Sequence, residues 1–277
     1  MKIGIDIGGS SIKAGLISKN KIIKKSKIKT PTKRKEFLGA IFYVVDELYS
    51  KKVKLIGVGC PGPLSKTGTL NTPNIPKNTN IITPLKRKYK TKVKLENDAN
   101  CFALAEANKR KEQNIFCLTL GSGIGSAFLI NKKLYKGRGN ATELGHMTIK
   151  FDGYKDVDKI PGSVEAHCGS GALKRIAKKF NIKVKSAIEI HKLAEKGNKK
   201  AKKAFEIYGT YLGITCANII NIFDPDIIII GGAMAGSWKF FKTNMNKEIK
   251  KRSILRPCPV TKSNIKHAGI LGASLLN

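Results

Sequence analysis

Asp6-Ile7-Gly8-Gly9-Ser10-Ser11-Ile12-Lys13 joins a carboxylate, two glycines, two hydroxyls and a lysine in one short run. Glycine lets backbone N–H groups approach an oxygen, the hydroxyls and Lys13 donate to it, and Asp6 can hold hydrated Mg2+, so the run suits a phosphate chain. An ordinary hairpin turn with a polar tip would use the same residues, and the spacing is not that of a Walker A loop. Gly121-Ser122-Gly123-Ile124-Gly125 is a second such turn, and two glycine turns at matching places could clamp a triphosphate. Ile229-Ile230-Gly231-Gly232-Ala233 is a third; its glycines suit either a nucleotide lying on the backbone or a tight strand-to-helix turn. Glu96-Asn97-Asp98-Ala99-Asn100 gathers four polar residues where an apolar strand ends. Asn97 or Asp98 can serve as a helix N-cap; the chemical alternative is that Asp98 takes the proton of a hydroxyl attacking phosphorus. Glu143-Leu144-Gly145-His146 and Glu165 have the residue types that hydrogen-bond vicinal hydroxyls, and Asn74 lies on a long polar loop after Gly59-Cys60-Pro61-Gly62-Pro63. His167, His191 and His267 read as structural or surface residues.

The elements that must position these residues follow from periodicity. Residues 2–8, 12–18 and 21–30 read as three strands of a meander, and Phe37, Ile41, Val44, Val45 and Leu48 recur at helical spacing after Pro31-Thr32. Val53–Gly59 reads as a buried strand, residues 65–80 as a long loop, Val93–Glu96 as a strand and Asp98–Lys111 as a helix. The pattern then restarts with strands at 115–120, 126–130 and 132–135, a short strand at 147–151, and helices at 163–180, 186–196 and 199–223. A strand at 226–230, a helix at 237–251, a strand at 258–262 and a helix at 269–276 close the chain. Two α/β lobes around a central cleft are expected. The small N-terminal lobe is 1–112, with helix 268–277 packing back on it, and the larger lobe is 113–267.

Length and composition fit this plan. A chain of 277 residues and 30.3 kDa with 41% hydrophobic residues can bury a core without disulfides or structural metals. The longest apolar run, around Ile227–Ile230, is strand-sized, the N-terminus lacks the apolar stretch of a signal peptide, and the six cysteines form no Cys-x-x-Cys pair. A cytoplasmic protein with reduced thiols and no membrane attachment is expected. The net charge of +34 comes from 53 basic and 19 acidic residues, almost all of the excess being Lys scattered along the chain. Specific nucleic-acid readers cluster arginine forks and aromatic stacking positions, so no specific nucleic-acid partner is expected.

Taken in order, Asp-Ile-Gly-Gly-Ser…Lys, Gly-x-Pro-Gly-Pro, Glu-Asn-Asp-Ala-Asn, Gly-Ser-Gly-Ile-Gly, Glu-Leu-Gly-His and Ile-Gly-Gly-Ala resemble the ROK family of sugar kinases and repressors. That family belongs to the actin/hexokinase/Hsp70 ATPase superfamily, and the likeness runs from residue 3 to about residue 274. The resemblance implies an α/β fold of two ribonuclease-H-like lobes and an ATP- and Mg2+-dependent hexose kinase, with glucose the first expectation, acting as a homodimer. Fructose, N-acetylmannosamine, N-acetylglucosamine or a polyphosphate donor are the variants, and a sugar sensor is the non-catalytic alternative. The family's repressors carry a helix-turn-helix ahead of the fold; with the first strand expected from residue 2, no such domain is expected here. The resemblance further implies that Asp98 is the base for the sugar's 6-hydroxyl. Asn74, Asn97, Asp98, Glu143, His146 and Glu165 would bind the hexose. Gly8, Gly9, Ser10, Ser11 and Lys13, with Gly121, Ser122 and Gly123, would hold phosphates, Gly231 and Gly232 would face adenosine, and Asp6 would hold Mg2+ through water.

The chain departs from the family pattern at two places. Aligned on Glu165, the positions of three zinc-binding cysteines are Asp156, Asp158 and Ser163, so no structural zinc is expected and His146 is left for sugar alone. Lys77-Asn78 stands where many glucokinase-like relatives have Gly-Trp, which bears on sugar selectivity.

Overall fold

The computed structural model of the chain describes residues 1–62, 64, 69–70 and 75–277, with residues 69–70 described as backbone only. The chain divides into two compact units, neither continuous in sequence. The first is Met1–Lys111 with Lys132–Ala141 and Asn264–Asn277; the second is Glu112–Asn131 with Thr142–Ser263.

In the first unit, β1 (Lys2–Ile7), β2 (Ser11–Ser18) and β3 (Lys21–Lys29) form the antiparallel part of a sheet. After α1 (Arg34–Asp46), β4 (Leu55–Cys60) pairs parallel with β1. The strand pair β5 (Thr69–Leu70) and β6 (Thr79–Asn80) and the helix α2 (Ile82–Tyr89) lead to β7 (Lys92–Asn97), which pairs parallel with β4 and runs directly into α3 (Asp98–Ala107). Strand order is β3-β2-β1-β4-β7. Every residue of β4 is buried, which explains its unbroken apolar sequence. β3 lies at the sheet edge with exposed lysines at 21, 24, 25, 27 and 29, a charge pattern that blocks edge-to-edge pairing and uses part of the lysine excess.

The second unit has β8 (Ile115–Leu120) paired antiparallel with β9 (Ile124–Ile130); β10 (Lys133–Leu134) falls in the 132–141 stretch of the first unit. Helices α4 (Val164–Cys168), α5 (Ser170–Lys179), α6 (Ala187–Glu195) and α7 (Lys199–Phe223) follow. β11 (Ile227–Gly231), fully buried, pairs parallel with β8 on one side. After α8 (Trp238–Arg252), β12 (Val260–Lys262) pairs with its other side. The last helix, α9 (Ala268–Ala273), returns to the first unit, where Gly4 on β1 and Gly57 on β4 face its backbone at Ile270 and Ala273. No Cβ fits at either glycine, so the helix rests directly on the sheet.

Three elements differ from the sequence expectation. Residues 147–151 form no strand; Ile149 and Lys150 both donate backbone N–H to the Gly162 carbonyl, and only Thr148 forms a bridge, to Ser163. The helix expected over 163–180 is two helices, broken at Gly169, whose extended backbone passes close to the Ser122 carbonyl. α2 lies between the expected loop 65–80 and the strand expected at 93–96, in a stretch for which the sequence suggested no element; its Pro84 falls in the first turn, where the missing N–H costs nothing. Among the described residues no helix is long and apolar enough to cross a membrane.

Candidate active site

In the first unit the polar motifs sit at the carboxyl ends of the parallel strands, where open α/β sheets bind ligands. Register places Asp6 on β1 beside Lys13 on β2 and Gly59 on β4, and Gly59 beside Glu96 on β7. Lys13 Nζ lies 3.8 Å from Asp6 Oδ2. Burial pushes the Asp6 carboxyl up, with Lys13 and then His267 pulling against it. The turn after β1 is tied from behind: Gly8 N–H donates to the Ser11 carbonyl (3.0 Å), Thr30 Oγ1 donates to the Gly8 carbonyl (2.6 Å) and Thr30 N–H to the Ser10 carbonyl (3.2 Å). Gly9 and Ser10 form an exposed tip. This donor-rich turn beside a carboxylate fits phosphate oxygens and a hydrated divalent cation.

At the β7–α3 junction the two readings of the polar cluster separate. Asn97 is the N-cap, its Oδ1 accepting from the backbone N–H of Ala99 (2.8 Å) and Asn100 (3.3 Å). Its amide nitrogen faces Gly62, where a Cβ would stand 2.9 Å from it. Glu96 is buried; its Oε1 accepts from Asn97 N–H (3.0 Å) and Asn100 Nδ2 (3.0 Å), and its Oε2 pairs with Lys136. Asp98, half-buried, opens α3, with Oδ1 accepting from Ala99 N–H (2.8 Å). Asn74 lies outside the described residues.

The second unit brings the other candidates together around the β8–β9 turn. Glu165, in the first turn of α4, accepts the Ile124 N–H on Oε2 at 3.0 Å and lies over Gly123, where a Cβ would stand 2.5 Å from that oxygen. Gly145, inside the Glu143–His146 turn, packs against the Ile124 carbonyl, again with no room for a Cβ. Ser170 N–H donates to the Gly121 carbonyl (2.9 Å), and Ser122 is exposed at the tip. Loss of surrounding water pushes the carboxyls of Glu143 and Glu165 up, against the opposing pull of His146 on both and of the Ile124 N–H on Glu165. Gly232, with φ +85, packs on the Leu120 backbone, so its glycine is required by the fold whether or not a nucleotide meets it.

His146 is not left to a ligand alone. Its Nδ1 lies 3.1 Å from Asp156 Oδ2 and its Nε2 3.8 Å from Asp158 Oδ2, and these three side chains are the group that could hold a metal ion among the described residues. Asp156 accepts from His146, from the Ser163 hydroxyl, and from the backbone N–H of Asp158 (3.0 Å) and Ile160 (2.9 Å). Four donors fill about the four lone-pair positions of a carboxylate. With no thiolate and its buried acid already saturated, the set does not suit a closed zinc site. Burial alone would raise Asp156, yet the Ser163 and His146 hydrogen bonds outweigh it and the carboxyl is lowered. Burial also disfavours charge on His146, but the Asp156 hydrogen bond and the surrounding carboxylates raise it.

The model of the ROK family matches residues 2–277. The chain belongs to the ROK family. It is 29% identical over 304 aligned residues to an N-acetyl-D-glucosamine kinase of Vibrio atlanticus, covering 100% of this chain and 99% of that protein. Among solved structures it resembles a ROK family glucokinase from Streptomyces griseus in complex with glucose and AMPPNP. The TM-score is 0.84 at 26% identity, over 99% of this chain and 97% of the other. A ROK family transcriptional regulator, a homologue of the E. coli MLC protein, gives a TM-score of 0.88 at 21% identity over 99% of this chain and 76% of its own, a likeness of fold alone. The ROK chain described here thus has the two-lobe actin-like ATPase fold of its relatives.

Sequence reasoning missed the contacts made by Thr30 and Lys136 and the hydrogen bonds of Asp156 and Ser163 around His146. Lys136 carries no signal in a chain so rich in lysine, and Asp156 registered only as a missing cysteine. Of the remaining histidines, His167 Nδ1 bonds the Ser163 carbonyl (2.9 Å) and His191 Nδ1 pairs with Ser237 Oγ (2.8 Å), while His267 is exposed, 3.5 Å from Lys25 Nζ.

Proposed function

We propose that this ROK protein is an ATP-dependent hexose kinase that phosphorylates the 6-hydroxyl of a D-gluco sugar, with Asp98 as general base. That it is an enzyme of the sugar-kinase class follows from its family and from full-length likeness to sugar kinases. The β7–α3 junction carries the mechanistic reading: Asn97 is the N-cap, and Asp98, whose Oδ1 shares the Ala99 N–H with it, stands half-buried in the first turn of α3 at the carboxyl end of β7. In this reading Asp98 accepts the hydroxyl proton, the sugar oxygen forms a bond to the γ-phosphorus, and the bond to the leaving ADP oxygen breaks. Mg2+, when bound, neutralises charge on the transferring phosphoryl group. The amide of Asn97, the carboxylates of Glu143 and Glu165, and His146 orient the hexose hydroxyls, with Asn74 joining them on the strength of the sequence resemblance. The turn from Gly8 to Lys13 and the turn Gly121–Gly123 hold the phosphates, Gly231-Gly232 lie by the adenosine, and Asp6 faces the hydrated cation. A homodimer in the cytoplasm belongs to the same reading, and light scattering on the purified chain tests the dimer.

The acceptor is the open choice. Glucose is the expectation from sequence, whereas the Vibrio relative acts on N-acetyl-D-glucosamine by name. A coupled assay with ATP and Mg2+ against glucose, N-acetylglucosamine, mannose, N-acetylmannosamine and fructose decides it. Turnover on glucose or N-acetylglucosamine supports the reading. Failure on every sugar, with ATP and with polyphosphate, defeats it in favour of a sugar sensor.

A further inference from the structure

The stretch after the Glu143–His146 turn holds a group that the sugar-kinase reading leaves unused. The Asp156 side chain is fully buried, and two backbone N–H groups, of Asp158 and Ile160, bind its Oδ1. They fix the rotation of the carboxylate, so Oδ2 is directed at Nδ1 of His146, 3.1 Å away. An ionised carboxylate only accepts, so the imidazole must carry its proton on Nδ1. The other nitrogen, Nε2, has Asp158 Oδ2 at 3.8 Å, beyond hydrogen-bond reach, and the ring keeps 31% of its surface exposed.

We infer that Asp156 is a positioning residue for the hexose: it pins the proton of His146 on Nδ1 and so presents Nε2 as the atom that meets a sugar hydroxyl. The sugar in this statement rests on the proposed function; the Nδ1 proton rests on the structure alone. Three neighbours share the task. Ser163, itself fully buried, donates its hydroxyl to Asp156 while its oxygen accepts the Ala166 N–H at 3.1 Å, which ties the acid to the first turn of α4. Glu165 in the same turn and Glu143 before the ring add negative charge around the imidazole. A hydrogen-bonded acid thus orients this histidine, with no ion required.

Asp156→Asn is the informative variant. Its amide oxygen must stay with the two backbone donors, because an amide nitrogen cannot accept from them. The amide NH2 then faces Nδ1 and drives the ring proton to Nε2, reversing the tautomer in an otherwise similar side chain.

The test uses imidazole 15N spectra of the full chain, with His146 assigned by comparison with His146→Gln, at a pH where the ring is neutral. The wild-type protein is expected to show Nδ1–H, and Asp156→Asn is expected to show Nε2–H. For the hexose that the wild type turns over, Asp156→Asn is expected to raise KM about tenfold with kcat within about twofold, the scale of a lost charge-assisted hydrogen bond. A wild-type ring protonated on Nε2 overturns the inference without needing any variant to fold. So does a reversed tautomer with unchanged KM. So does one tightly bound transition-metal ion per purified chain whose removal, followed by fresh Mg2+, abolishes activity. If no sugar is turned over, the kinase reading falls, and the wild-type spectrum still decides where the proton sits.

Discussion

At Gly8–Ser11 the turn is held by a hydroxyl and by backbone, Thr30 donating to the carbonyls of Gly8 and Ser10, whereas at Gly121–Gly125 a carboxylate does the work, Glu165 accepting from Ile124 N–H. A Cβ at Gly8 would meet nothing closer than the Ser11 carbonyl at 3.5 Å, an ordinary contact. A Cβ at Gly123 would strike Glu165. Two turns with nearly the same sequence signal therefore carry different demands. The first keeps an acid, Asp6, behind it and its tip open. The second is glycine because the Glu165 carboxylate occupies the space where its side chain would go, so in the proposed reading a change at this turn reaches the sugar-binding carboxylate directly.

The largest effect that sharpens this contrast is at the junction of the first unit. Asp98→Asn should lower kcat by roughly 10²–10⁴-fold, the range for loss of a general base, with sugar affinity within a few-fold, measured by turnover and calorimetry. The paired glycine variants come next. Gly123→Ala should displace Glu165 and raise the hexose KM about tenfold, while Gly8→Ala should leave it within about threefold; equal effects would break the comparison.

The smallest effect is on stability. The Glu165 carboxyl is pushed above the ordinary value near 4.5, chiefly by burial. The folded protein therefore holds that proton more tightly than the unfolded chain. The stabilisation from this group is fully present below the ordinary value and is lost as pH rises through the folded one. At neutral pH an ionised Glu165 is a cost, so Glu165→Gln should raise the Tm of the ligand-free protein by roughly 1–3 °C while weakening sugar binding.

Much of this was readable in the chain. The buried runs at Leu55–Cys60 and Ile227–Gly231 and the 25-residue helix Lys199–Phe223 announce themselves, because full burial and a long amphipathic face leave unambiguous patterns. Short elements that depend on tertiary contacts did not: α2 has Leu85 and Tyr89 as its buried residues, and residues 147–151 are shaped by bonds to Gly162, distant in sequence. At the site, the Glu-Asn-Asp-Ala-Asn cluster could be located but its labour not divided, since either Asn97 or Asp98 makes a competent cap. His146 shows the same limit from the other side. Its acid partner stands ten residues away, in a place marked only by absent cysteines, and only the fold shows a carboxylate hydrogen-bonded to the ring there.

Phosphoryl transfer to a hexose 6-hydroxyl assisted by Asp98 is tested by 31P–1H correlation on the product formed by wild type and Asp98→Asn from ATP, Mg2+ and sugar. Phosphate coupled to the C6 protons is expected in the wild-type reaction, with almost none formed by the variant in the same time. Phosphate on another carbon, or product formed by Asp98→Asn at near wild-type rate, would contradict it.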